Sequence, residues 1–433
     1  MESQADTPAR FASLSGVARN TPELENLHGD DVAQRHVPCS HLRVASWAKP
    51  TMLMLTNFSV RRPQHVIAQQ RALQWLSEIH AASEAKLSAL SDDERVIFAA
   101  RFSKLIERCA CGPEKIGARG HVTADVDGSG ALDLYDVSRY PQGKGSAERS
   151  RIFADIVNGY FEREFATEDL APSELIHVTC TGYVAPSGAQ RVVANKGWGA
   201  LTHVTHAYHM GCYAAFPAIR MAAGHFGIPA ALRPSRAERR VDIVHTELCT
   251  LHLDPSDHSA EQCVVQSLFA DGFVRYSMRE AAAGPGLELL ALSEQILPDS
   301  AAAMGWTVGD FGMHMTLTRD VPERIAGALR PFVTELFAKS GLSLAEELGR
   351  CVVAVHPGGP KIIDRVREIL ELDPAQVQAS RDVLFDYGNM SSATLPHVWH
   401  RLSSDENVRP GSTILSLAFG PGLSVCGGLF RKH

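Results

Sequence analysis

The sequence predicts a layered α/β protein with mixed sheets, and three features carry that expectation. Short apolar runs at residues 176–183, 241–253 and 351–355 have strand length, and stretches with apolar residues at spacings of three and four separate them. Runs that stay apolar at successive positions suit strands covered on both faces, so helices must lie above and below the sheet. At 433 residues the chain can bury a substantial core, as two domains or as one large double-layered domain.

Taken in order, residues 1–50 lack sustained periodicity and are rich in polar breakers, which reads as an N-terminal extension. A strand is expected at 52–58 and helices at 64–84 and 92–109. Residues 121–126 and 131–137 alternate like two strands joined by an Asp-Gly-Ser-Gly turn. A calcium loop competes for that stretch, because Asp125, Asp127, Ser129, Asp133 and Asp136 stand at positions one, three, five, nine and twelve around Gly130. Its flanks favour the hairpin: Gly117 and Gly120 weaken an entering helix and Tyr140-Pro141 interrupts an exiting one. Pro234 and a cluster of charges mark a boundary, giving one half over 51–235 and a second over 236–433. With no sequence repeat between them, any duplication has to be structural.

Composition narrows the function classes. With 45% apolar residues, 21% charged residues and a net charge of -7, the chain is ordinary for a globular protein and unlike a nucleic-acid binder, which is usually basic. Nine cysteines, an odd number without paired metal-ligand spacing, suggest a reducing cytoplasm. No uncharged apolar run approaches the roughly 18 residues of a membrane span, and the first residues lack the apolar core of a secretory signal. His203, His206 and His209 recur at threes, yet no acidic partner completes a zinc site, so no metal is expected.

Three segments carry chemistry. In His206-Ala-Tyr-His-Met-Gly-Cys212-Tyr-Ala-Ala-Phe-Pro217, a cysteine follows a glycine and precedes a small-residue helix, where a helix N-terminus favours the thiolate. Val352-Val-Ala-Val-His356-Pro-Gly-Gly-Pro360 ends an apolar strand in a histidine held by a tight turn. Asp386-Tyr-Gly-Asn389-Met-Ser-Ser-Ala393 puts an asparagine in a small-residue turn leading into a helix. Each has a plain alternative: a buried inert cysteine, a satisfied strand-end histidine, an ordinary Gly-Asn turn.

In this order the three segments resemble the type III polyketide synthases, the chalcone synthase family, and the ketoacyl-ACP synthase III enzymes, both of the thiolase superfamily. Further likeness lies in Val244-His-Thr-Glu247-Leu, in Gln266-Ser-Leu-Phe-Ala-Asp271-Gly272, and in Ala418-Phe-Gly420-Pro-Gly422-Leu423, where Ala418 replaces the family's first glycine. The resemblance covers roughly residue 51 to the C-terminus. It implies a thiolase fold, layered αβαβα with two pseudo-duplicated halves, and a homodimer without a bound cofactor. The implied reaction is Claisen condensation of thioesters of CoA or of an acyl carrier protein, in polyketide or related biosynthesis.

By the same resemblance Cys212 carries the acyl group and His356 and Asn389 stabilise the enolate formed by decarboxylation. Gly420 and Gly422 belong to a loop that helps hold the tetrahedral oxyanion, and Cys249, His252 and Leu253 fall where the family has its substrate cavity wall. Arg101, Lys104 and Arg108, spaced by three and four on one helix face, match positions that hold the phosphate of a pantetheine arm; a solvated helix face is the alternative. Arg233, Arg236, Arg239 and Arg240 offer a second basic cluster, for an acidic carrier protein.

The cavity stretch departs from the plant-type pattern, which carries a bulky phenylalanine where this chain has Leu251-His252-Leu253. A narrower likeness is to bacterial ketosynthases that join two preformed acyl chains and form pyrones. Simple acyl transfer or thioester hydrolysis through the same cysteine, and a noncatalytic scaffold, are the competing functions.

Overall fold

The computed structural model describes residues 52–126, 134–234, 236–281 and 284–433. The expected extension at 1–50 and the Asp-Gly-Ser-Gly turn lie outside these residues.

The strands in chain order begin with β1 (Met52–Arg61), β2 (His65–Ala68), β3 (Ala118–His121), β4 (Pro172–Thr179) and β5 (His203–Tyr208). β6 (Glu238–Leu248), β7 (Asp271–Ala281), β8 (Leu287–Ile296), β9 (Met304–Gly309) and β10 (Gly312–Leu317) follow, and β11 (Val352–Val355), β12 (Thr413–Gly420) and β13 (Ser424–Lys432) complete them. Nine join one sheet in the order β11-β12-β13-β8-β1-β7-β6-β4-β5, while β2 with β3 and β9 with β10 form separate ribbons.

A duplication is visible in the strand directions. From β1 outward, β7 and then β6 are antiparallel to their neighbours and β4 is parallel to β6. From β8 outward, β13 and β12 are antiparallel and β11 is parallel to β12. The two sets meet along a short β1–β8 pairing, Met54 with Glu288 and Leu55 with Leu287. Since β6 and β7 pair with β4 and β1, the sheet itself does not divide at 235/236; its two repeats meet between Ala281 and Leu287.

Helices α1 (Gln69–Leu87), α2 (Asp92–Cys109), α3 (Ser146–Glu164) and α4 (Gly188–Asn195) belong to the first repeat, followed by α5 (Ala215–Gly227) and α6 (Ala260–Leu268). The second repeat adds α7 (Val321–Ser340), α8 (Leu344–Glu347), α9 (Pro360–Leu370), α10 (Gln378–Tyr387) and α11 (Thr394–Ser404). Three cores divide the protein into five layers. One packs α1, α3 and α4 on the first set of strands, and another packs α7 and α9 on the second. Between them α5 and α11 share a core with strands of both sets. Helix α5 fits there because Ala215, Ala218 and Ala222 are small, letting two sheet surfaces approach one helix.

Local expectations held where a cap or a β-branched run fixed them. Helix α2 occupies 92–109 as expected, because Ser91 and Glu94 form a reciprocal capping box. Other boundaries moved. Expected strand 241–253 stops at Leu248, and Cys249–His252 turns as a 3-10 helix. The expected hairpin at 121–126 is replaced in the described residues by the end of β3 and a 3-10 turn at Ala124–Val126. The Asp125 carboxylate accepts the backbone N–H groups of Leu134 and Tyr135.

The arginine cluster needs a second correction. Arg240 is 3% exposed and lies within a network with Asp242 (2.9 Å), Glu238 (2.5 Å) and Glu168 (3.4 Å), which Arg275 extends. Arg239 pairs with Glu280 at 2.7 Å. Alternation along β6 turns Arg240 inward, a consequence of register that the string of basic residues does not reveal.

Candidate active site

Cys212 stands in the turn between β5 and the central helix α5. Gly211 takes φ 84, and a Cβ on it would lie 2.5 Å from Pro421 Cδ, so only glycine fits under the 420–422 loop. At Gly420 a side chain would strike the Tyr213 ring. These two contacts bring the C-terminal loop directly onto the nucleophile's turn. Pro217 is the third residue of α5, within the first turn, where its missing N–H costs nothing.

A cavity of about 20 Å³ opens beside the sulfur, lined by Cys180, Thr181, Gly211, Cys212, Cys249, Phe269, Trp306, Met315, Ser391 and Pro421. Its size admits about one water. A larger cavity of about 510 Å³, between Arg61–Gln64 and α3, contains no cysteine, serine or histidine in its lining, so chemistry rather than size selects the smaller one. Cys212 is buried, with Sγ 3.8 Å from Ser391 Oγ. Burial pushes its thiol up to about 12, against the downward pull of Ser391. The helix N-terminus led the sequence to favour a thiolate; desolvation of the buried sulfur acts in the opposite direction. Iodoacetamide labelling of Cys212 is therefore expected to climb about tenfold per pH unit between pH 7 and 9. A labelling rate that levels off below pH 7 would show an ionised resting sulfur instead.

His356 follows β11, and its backbone N–H donates to Leu417 O of β12 at 2.7 Å, so strand pairing fixes the residue up to its side chain. The imidazole is 2% exposed, and neither ring nitrogen has a hydrogen-bond partner. Burial pulls its pKa down to about 3, leaving a neutral ring. An unmade buried hydrogen bond costs about 1–3 kcal/mol, which leaves these ring nitrogens ready for a partner from outside the protein.

Asn389 is pinned through its backbone: its N–H donates to Leu268 O (2.9 Å) and its carbonyl accepts Ala270 N–H (2.8 Å). Ser391 N–H donates to Oδ1 at 2.9 Å, which orients the amide, and Nδ2 donates to Gly358 O at 3.3 Å. One Nδ2 hydrogen is left over. Gly358 belongs to the His356 loop, so the Nδ2 bond to its carbonyl joins the two loops. Contacts thus run from Cys212 through Ser391 and Asn389 to the loop that carries His356. Neither His356 nor Asn389 is among the residues lining the small cavity.

Behind this sits a buried polar cluster. Glu247 accepts Cys180 N–H and Thr181 Oγ1, each at 3.0 Å, and Ser392 Oγ. Desolvation raises its carboxyl to about 7 in spite of these donors. His245 completes the cluster, with Nδ1 3.0 Å from Ser392 Oγ and Nε2 3.2 Å from Tyr276 Oη. Because Ser392 gives its proton to Glu247, His245 Nδ1–H must be the donor to Ser392.

Residues 288–432 match the family of chalcone and stilbene synthases, C-terminal domain, a span that contains His356, Asn389 and the 420–422 loop. The chain is type III polyketide synthase-like. It is similar to 1,3,6,8-tetrahydroxynaphthalene synthase of Streptomyces coelicolor, 29% identical over 277 residues, covering 64% of this chain and 70% of that protein. It also resembles Probable polyketide synthase 1 of Dictyostelium discoideum, 29% identical over 266 residues, or 60% of this chain, and spans 8% of that protein's length. Among solved structures, the C-terminal type III polyketide synthase domain of Steely1, a type I/III hybrid from Dictyostelium, aligns with TM-score 0.71 at 21% identity. That alignment covers 88% of this chain and 99% of the other, and it shows the fold.

The remaining expected site residues of this type III polyketide synthase-like enzyme fall in different places. Cys249 lines the cavity. His252 and Leu253 do not stand among the lining residues, because β6 ends early and the 3-10 turn points them elsewhere. His252 Nε2 donates to Thr181 O (2.8 Å) and Nδ1 accepts Met313 N–H (3.1 Å), which occupies both ring nitrogens. Leu253 is buried in the core under α3. Gly420 and Gly422 flank Pro421, the lining residue of their loop. Arg101, Lys104 and Arg108 are exposed on α2, whose buried face is Phe102 and Ile106. Among the described residues no group of three or more histidine, cysteine or acidic residues is placed to hold a metal ion. No helix of the described residues is long and apolar enough to cross a membrane.

Sequence reasoning missed Thr181, Phe269, Trp306, Met315 and Ser391 as cavity residues. Ser391 was within reach, two positions after Asn389. Thr181 and Phe269 follow β4 and α6, and Trp306 and Met315 are cross-strand partners in the β9–β10 hairpin.

Proposed function

We propose that this enzyme catalyses Claisen condensation of acyl thioesters in polyketide synthesis through an S-acyl intermediate on Cys212. The observation that carries the reading is the buried His356 imidazole, with both nitrogens unpartnered, beside an Asn389 amide that keeps one N–H in hand. Cys212 Sγ attacks the thioester carbonyl, its proton passes to a neighbouring base, and the donor thiol leaves with a proton. Loss of CO₂ from a malonyl-type extender then leaves an enolate, whose oxygen takes hydrogen bonds from His356 and Asn389 Nδ2. The enolate carbon attacks the acyl carbonyl; a carbon-carbon bond forms, the carbon-sulfur bond breaks, and Cys212 is regenerated. In this reading backbone groups of the 420–422 loop assist the tetrahedral oxyanion, supported by the packing of Pro421 against Gly211.

CoA thioesters, or thioesters of phosphopantetheine on a carrier protein, are the donors in this reading, and Arg101, Lys104 and Arg108 supply exposed cations for the phosphate. A homodimer and a cytoplasmic setting belong to it as well: β5 is an edge strand of the sheet, and eight cysteines among the described residues are free thiols. The test pairs an acyl-CoA panel with malonyl-CoA and reads both intact mass and products. The acyl mass is expected on the wild type and not on Cys212→Ala, and a product with a new carbon-carbon bond only with the extender present. Acyl loss to water without such a bond would make the enzyme a hydrolase.

A further inference from the structure

The cavity beside Cys212 holds about 20 Å³, less than an acyl chain of more than about two carbons requires if one water needs 10–15 Å³. Three bulky side chains limit it: Phe269, Trp306 and Met315. They are not equally able to yield. Met315 is an unbranched thioether that changes rotamer at little cost. Phe269 belongs to the buried core; its carbonyl accepts Arg119 Nη1–H at 2.6 Å, but its ring carries no polar group. Trp306 is tied at both ends: its Nε1–H donates to Cys180 O at 2.7 Å, and its own carbonyl accepts His209 Nε2–H at 2.8 Å. The ring stacks on Phe269 with centroids 6.3 Å apart and meets the His252 ring edge-on at 5.9 Å.

Its hairpin is fastened too. Met313 N–H on β10 donates to His252, Gly312 N–H donates to Ser146 Oγ at 3.0 Å, and Gln262 Nε2 donates to Met315 O at 2.8 Å. Moving the indole aside therefore means breaking a hydrogen bond to a backbone that lines the same cavity, or lifting a ribbon tied to α3, to α6 and to the 249–252 turn.

We propose that Trp306 is a specificity-determining residue that limits the acyl group accepted by Cys212 to short chains. The indole is the fixed wall, Met315 the adjustable one. This rests on the acyl-enzyme reading given above. Replacing the indole by a methyl group opens space on the order of 100–150 Å³, comparable to an engineered cavity that admits benzene.

The test measures the rate of acyl adduct formation on Cys212 by intact mass spectrometry, with acetyl-, hexanoyl- and decanoyl-CoA, for the wild type, Trp306→Ala and Trp306→Phe. The wild type is expected to favour acetyl. In Trp306→Ala the hexanoyl-to-acetyl and decanoyl-to-acetyl rate ratios are expected to rise at least tenfold, and in Trp306→Phe by less, because a smaller ring remains. General damage to the fold lowers all three rates and leaves the ratios alone, so ratios within twofold of wild type in both variants overturn the proposal. A wild type that takes decanoyl as fast as acetyl overturns it as well. If Cys212 accepts no donor in any of the three proteins, the acyl-enzyme reading falls and takes this inference with it.

Discussion

Replacing His356 with alanine is expected to cut condensation by about 100- to 1000-fold while Cys212 still becomes acylated when donor and time are ample. The reason is geometric. No protein group bonds the imidazole, so both ring nitrogens are open to a partner that arrives with substrate. An enolate oxygen, formed after the acyl group is in place, is such a partner. The comparison needs two readouts on one sample, adduct mass and product yield. Undiminished product would remove His356 from the mechanism, and parallel loss of adduct and product would make it the base for acyl transfer. The second outcome has a physical basis, because a thiol pushed up to about 12 needs help to lose its proton.

Replacing Arg240 with leucine is expected to destabilise the protein by about 3 kcal/mol, the low end of the ~3–5 kcal/mol for breaking a buried ion pair. Asp242 is fully buried and would keep Arg275 at 2.8 Å and Ser277 Oγ at 2.7 Å, which is why the loss should not reach the top of that range. Glu238 would keep Arg279 at 2.5 Å. Urea unfolding followed by circular dichroism measures the change. A loss under 1 kcal/mol with weakened binding to a carrier protein would return Arg240 to the surface role that its neighbours in sequence suggested.

Arg240 shows what a string of residues conceals. Four arginines within eight positions look like one patch, yet strand alternation sends Arg240 into the sheet layer while Arg239 stays exposed. His252 carries the same lesson at the site. It lies in a stretch that reads as a strand facing the cavity, but the strand ends at Leu248, and the turn that follows spends both imidazole nitrogens on Thr181 and Met313. The thiolate expected at Cys212 meets a related limit: a helix terminus is legible in sequence, and the burial that opposes ionisation is not.

The sequence by itself determined the alternation of elements and the class of fold, because periodicity, capping and turn chemistry act over a few neighbouring residues; the three candidate site residues came from the resemblance. Helix α2 and the Gly-Cys, His-Pro-Gly-Gly and Gly-Asn segments all belong to that local kind. Only the tertiary structure decided that the sheet repeats join through β1 and β8, that Glu247 lies beneath Ser392, and that Trp306 and Met315 close the space beside the sulfur. Those facts depend on strand register and on desolvation, which sum contributions from residues far apart in the chain and leave no mark on any one segment.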